Sequence, residues 1–119
     1  DDCAVLGGEL FVADESRRGQ LLVFGLDGTL RRTVHGDFYR PCQLESHDGR
    51  LYLLEADCGA DAYDAEETWA GRRLVILEPD GKTCQVVHST EAHQIRGICF
   101  RGEELFLGET GYDGEDDDD

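Results

Sequence analysis

Residues 8–34, GELFVADESRRGQLLVFGLDGTLRRTV, constrain this chain more than any other stretch, because the chain writes them again. The second version runs as GRLYLLEAD from Gly49 and, after an insert, as GRRLVILEPDGKTCQVV from Gly71. A third begins with EELFLGET at Glu103. Leu10 recurs as Leu51, 41 residues on, and again as Leu105, a further 54 on. Asp27-Gly28 recurs as Asp80-Gly81, displaced by 53, so the second copy holds about a dozen extra residues between Glu55 and Leu74. Without them the period is near 41, inside the range of about 40–50 that marks four-stranded propeller blades rather than a helical solenoid.

Within each copy the residues alternate as half-buried strands do, and Gly, Asp and Ser clusters separate the runs. The first copy reads as four short antiparallel strands at residues 3–6, 9–13, 21–26 and 29–34. The third is nearly continuous in apolar residues, as expected where neighbouring sheets cover both faces. Asp27-Gly28 suits a tight hairpin with two residues at positive φ. Arg31 and Arg32 should face water on an outer strand. The second copy reads as strands at residues 42–46, 50–55, 73–78 and 83–88, and the third as strands at 95–100 and 104–108. The expected fold class is therefore all-β: four-stranded antiparallel β-propeller blades, a partial propeller of about 2.5 blades. Residues 1–40 form the first blade and 41–94 the second, with an acidic insert at 56–71 and one helical turn around Ala65–Trp69. Residues 95–109 form half of a third. Residues 110–119 end in four aspartates and read as a disordered acidic tail.

Such blades close into rings of typically about four to eight. Two and a half leave apolar flanks open, and exposed apolar surface of that size drives association. The flanks admit three readings: a piece of a longer propeller, a ring assembled by several copies, or a small β-sandwich that borrows the repeat.

The pattern of Gly, a hydrophobic strand ending in an acid, an aliphatic strand and Asp-Gly resembles NHL-type and related six-bladed β-propeller repeats. Gly8 to Asp14, Leu21 to Phe24 and Asp27-Gly28 carry it in the first copy. Gly49 to Glu55, Leu74 to Leu77 and Asp80-Gly81 carry it in the second, and Glu104 to Glu109 in the third. The Asn-His-Arg stretch typical of NHL repeats is absent, and the Pro-x-Gly lead-in is nowhere complete. The resemblance implies blade architecture. Hydrolytic, lactonase-like propellers keep a metal in the channel, which makes a metal-dependent enzyme the alternative function.

Charge narrows the partners. Eleven basic residues stand against 27 acidic ones, a net charge of −16, so nucleic acid is not an expected partner because phosphate neutralisation needs a basic patch. Anionic membrane surfaces are disfavoured for the same reason. No apolar run reaches the roughly 18–20 residues of a spanning helix, and the acidic start does not read as a signal peptide. Five cysteines (Cys3, Cys42, Cys58, Cys84, Cys99) show no metal-binding spacing, and the odd count leans towards a reducing, intracellular compartment. Cys84 and Cys99, inside strand-like runs, are expected to be buried thiols.

Asp14, Glu55 and Glu109 share the end of the second strand of each copy. Three such carboxylates on one face would suit Ca²⁺, which takes roughly six to eight oxygens. The competing reading gives each of them the backbone N–H groups of the turn that follows. Tyr39, Arg40, His93 and Arg96 precede or open the first strands of the next copies and fall on the same face, where arginine forks would suit a carboxylate or peptide. Tyr63 and Trp69 in the acidic insert have the composition of a protein contact. No nucleophile motif, P-loop or EF-hand loop is present. The expected function is a binding or assembly module, a scaffold acting through loops and open flanks on a protein partner or on other copies, with a structural subunit of a larger assembly as the third reading.

Overall fold

The computed structural model describes residues 2–56, 71–88 and 94–110. These form ten strands and no helix: β1 (Asp2–Leu6), β2 (Glu9–Ala13), β3 (Gln20–Gly25), β4 (Leu30–His35), β5 (Pro41–His47), β6 (Arg50–Glu55), β7 (Arg73–Leu77), β8 (Thr83–His88), β9 (Gln94–Arg101) and β10 (Glu104–Thr110). Each expected strand is present to within two residues at either end. The strands pair antiparallel as two meanders, β1-β2-β3-β4 and β5-β6-β7-β8, and a two-stranded hairpin, β9-β10. No sheet is closed. The proposed helical turn, Tyr63, Trp69, His93, Cys58 and the acidic tail lie outside the described residues.

Turn chemistry sets the order. Asp48 and Gly49 both take positive φ, 52° and 78°, as a two-residue hairpin turn demands. The Asp27-Gly28 turn is looser than expected, since only Gly28 is at positive φ (91°). Gly28 N–H donates to the Gly25 carbonyl at 2.9 Å, Gly25 N–H to the Thr29 carbonyl at 2.8 Å, and Thr29 N–H to Asp27 Oδ1 at 3.0 Å. This is a type I turn followed by a left-handed residue, and β3 pairs β4 with a register shift between Val23 and Phe24. The second copy repeats it: Gly81 N–H donates to Glu78, Glu78 N–H to Lys82, and Lys82 N–H to Asp80 Oδ1. β3 therefore stops at Gly25, and Leu26, in the turn, is 66% exposed rather than covered.

The three units pack face to face in chain order, the first sheet on the second and the second on the hairpin. Phe11, Leu21, Val23 and Val34 of the first sheet bury against Leu44, Leu51, Leu53, Val75 and Leu77 of the second. The reverse face of the second sheet, with Leu54, Leu74 and Ile76, takes Ile95, Ile98, Leu105 and Leu107 of β9 and β10. Polar contacts bind the units where β1, β5 and β9 adjoin. Leu44 N–H donates to Asp2 Oδ2 at 3.1 Å, Ser46 Oγ to the Val5 carbonyl at 2.9 Å, and Gln43 Nε2 to the Arg96 carbonyl at 2.6 Å. At the rim, His47 stacks on Phe100 with centroids 3.9 Å apart and planes 5° from parallel, and Tyr52 meets Phe100 edge-on at 4.9 Å.

The thiols depart from expectation. Cys84 and Cys99 are both exposed. β8 is the outer strand of its sheet, where Cys84 Sγ reaches water and donates to Glu78 Oε2 at 3.1 Å. Cys99 pairs with the exposed Phe106, on the side of the hairpin opposite to Ile98 and Leu107, which face the second sheet. Cys42 is the more enclosed thiol, and burial pushes its pKa up to about 11, with the nearby Glu15 carboxylate adding to the rise.

Candidate functional site

The end of the molecule that carries the connections from β2 to β3 and from β4 to β5 holds most of the charged residues singled out in the sequence. Asp14 ends up in its own turn. Its Oδ1 accepts from Ser16 N–H at 3.0 Å and from Ser16 Oγ at 2.8 Å, and Arg17 Nε stands 3.6 Å from Oδ2. The Ser16 hydrogen bonds, and less strongly the Arg17 charge, hold the Asp14 carboxyl below the usual aspartate range.

A group with a lowered folded pKa stabilises fully above its unfolded value and loses that contribution as pH falls through the folded one. Asp14→Asn, which keeps the acceptor oxygen and removes the charge, is therefore expected to melt lower than wild type at pH 7. The gap should narrow as pH falls below the usual aspartate range and through the lowered folded pKa of Asp14, where both side chains become neutral. Thermal melts at a series of pH values check this; a gap that stays constant across the acid range refutes it.

Glu55 behaves differently from Asp14. It is 2% exposed, a carboxylate inside the fold. Arg73, at the start of β7, forks onto it, Nε to Oε1 at 2.8 Å and Nη2 to Oε2 at 2.7 Å. Tyr39 N–H donates to Oε2 at 2.9 Å. Both oxygens are thus engaged, and a cation at Glu55 would have to displace the Arg73 fork. The pairing ties strand ends of the second sheet to the connection that arrives from the first.

Tyr39 is the hub of that connection. Its carbonyl accepts from Gly19 N–H at 3.1 Å, fastening it to the turn before β3, and Gly36 N–H donates to the Gly19 carbonyl at 3.0 Å. The Arg18 and Arg40 guanidinium carbons each lie 5.3 Å from its ring centroid, within cation–π range. Phe38 beside it is buried in the first core. The next connection is fastened in kind, by Ile95 N–H donating to the Gly71 carbonyl at 2.9 Å.

Of the expected set, the structure brings Tyr39, Arg40 and Glu55 into one junction. Arg96 is exposed on β9, where the register skips it between Ile95 and Gly97. Glu109 lies on β10 opposite Ile95, and its side chain is not among those described. Among the described residues, no three His, Cys, Asp or Glu side chains gather as a metal would require. The partnership of Arg73 with Glu55 was missed in the sequence, although an arginine opening one strand beside an acid closing its neighbour was the available signal. Phe38 was missed because it sits outside every strand pattern.

The second candidate is apolar. On the first sheet, the face turned away from the second sheet carries Cys3, Val5, Leu10, Val12, Leu22 and Phe24, paired across the strands in register. Val5 is 54% exposed, as is Leu30 opposite Phe24 on β4. At the other end of the stack Phe106 is 50% exposed on the hairpin. Two apolar sheet faces thus carry exposed side chains at opposite ends of one stack. Among the described residues no helix is long and apolar enough to cross a membrane. No protein-family model matches the chain, and no relative was found among curated proteins.

Proposed function

We propose that the chain is an assembly module built of β-propeller-type blades, a scaffold that acts by stacking its open end faces on the sheets of a partner. The observation that carries this reading is the pair of open apolar faces on a molecule whose internal cohesion consists of sheets stacked through such faces. The two meanders pack through inner faces buried to nearly zero exposure at Phe11, Leu21, Leu51 and Leu53. Burying apolar area at about 25 cal/mol per Å² drives the outer faces to do the same. The charged junction at Tyr39 and Glu55 serves this role by fixing how one sheet follows the next.

The test is sedimentation velocity on the 119-residue chain over a range of concentrations, beside Val5→Glu/Leu30→Glu. The wild-type mass should exceed 13.2 kDa and rise with concentration. The double variant, carrying charge on an already exposed face, should sediment as a monomer with its melting temperature kept. A wild-type chain that stays monomeric at every concentration sinks the proposal.

A further inference from the structure

The two buried clusters are one interface made twice. In the first, Phe11, Leu21, Val23 and Val34 meet Leu44, Leu51 and Leu53 of the next unit. In the second, Tyr52, Leu74, Ile76 and Val87 meet Ile98, Leu105 and Leu107. The repeat makes these the same positions: Tyr52 stands for Phe11, Leu74 for Leu21, Ile98 for Leu44 and Leu105 for Leu51. Each unit therefore has a forward face, turned to the unit after it, and a backward face of different composition, turned to the unit before it.

Among the described residues the faces left open are one of each kind. The first sheet exposes its backward face, on which Cys3, Leu10 and Val12 occupy the places of Leu44, Leu51 and Leu53. The hairpin exposes its forward face, with Phe106 in the place of Phe11 and Cys99 in that of Ala4, since Cys99 pairs Phe106 as Ala4 pairs Phe11. A shallow cavity of about 340 Å³ adjoins the hairpin, lined by Gly97, Ile98, Cys99, Phe106, Leu107 and Gly108. We infer that a second copy of this chain docks head to tail, laying the backward face of its first sheet on the forward face of the β9–β10 hairpin.

This rests on the assembly reading above and adds its partner and direction. The occupant follows from continuity with the internal interface, because the repeat-equivalent forward face of the first sheet already packs on Leu44, Leu51 and Leu53, whose places Cys3, Leu10 and Val12 take on the open backward face. The cavity over the glycines gives room for side chains of the incoming sheet. Such an interface is heterologous, joining two different patches, so the product is a closed ring or a growing stack rather than a two-fold dimer. Geometry marks it with a pair of thiols. Ala4, partly buried, packs against the cluster that holds Leu44, where β1 adjoins β5, so Cys99 of one copy and Cys3 of the second copy are brought to the same region of the equivalent contact. Both thiols are exposed in the single chain.

The experiment links thiols with a short bismaleimide in a chain whose other cysteines are replaced by alanine, its fold checked by circular dichroism. Peptide mapping should find Cys3 joined to Cys99. Cys3→Ser and Cys99→Ser chains should each fail to link alone, and an equal mixture should link. Phe106→Glu and Val5→Glu, on opposite ends of the stack, should each weaken self-association by about tenfold or more in sedimentation, since either buries a charge at the contact. Association that persists with Cys3–Cys3 or Cys99–Cys99 links, or that ignores Phe106→Glu, overturns the head-to-tail arrangement and leaves the assembly reading standing. Absence of any association overturns both.

Discussion

Arg73→Ala is expected to destabilise the fold by about 3–5 kcal/mol, the cost of breaking a buried ion pair from one side. Its carboxylate partner, Glu55, is shut off from water, and the Arg73 side chain is itself only 12% exposed. Alanine removes two charge-assisted hydrogen bonds and leaves a buried carboxylate with the Tyr39 N–H as its one remaining bond of those described above. The desolvation already spent on Glu55 is then uncompensated. The comparison that isolates this cause is Glu55→Leu/Arg73→Leu, which removes both charges and keeps apolar volume. Replacing a buried pair in this way is often neutral, so the double variant should recover most of the loss. Urea denaturation of the two variants and wild type gives the numbers. A loss below about 1 kcal/mol in Arg73→Ala, the size of a surface pair, would show that the junction is open to solvent.

The second large effect separates two glycines that the repeat makes equivalent. Gly28 and Gly81 occupy the same turn position with nearly the same conformation, φ 91° and 95°. Around Gly28 nothing lies within 4 Å of where a Cβ would be. At Gly81 that Cβ would run into the His35 carbonyl oxygen and approach Val34 Cγ1 at 2.8 Å, because the turn of the second sheet is seated against the end of β4. Gly28→Ala is expected to cost only the left-handed strain of about 1–3 kcal/mol. Gly81→Ala adds overpacking against backbone, a further cost of about 1–3 kcal/mol. Equal losses in matched denaturation curves would mean that the outer edges of the two sheets do not approach each other.

Much of the fold could be read from spacing. Alternation at Glu9 to Ala13 and Arg50 to Glu55 placed β2 and β6 without error, and the recurrence of Leu10, Leu51 and Leu105 predicted that the copies would fold alike. Less of the site was legible. Asp14 and Glu55 are the same letter of the repeat, yet one caps an exposed turn and the other is a buried ion-pair partner. The difference comes from what stands at the start of the next strand, Gln20 in the first copy and Arg73 in the second. Cys84 and Cys99 looked buried because their strands are apolar, but burial of an outer strand or an end hairpin depends on a neighbour that the strand itself does not specify.

Strand positions, the antiparallel meander and the turn sites were determined by the sequence by itself, since a period of two and a glycine at positive φ act over a few residues. The tertiary structure alone decided which face of each sheet looks forward and which backward, and with it the enclosure of Glu55, the burial of Phe38 and the exposure of Phe106. Those outcomes depend on the stacking of one sheet on another, an interaction between residues of different strands and units, 42 positions apart for Asp2 and Leu44, and no local pattern encodes which side of a strand a distant sheet will cover.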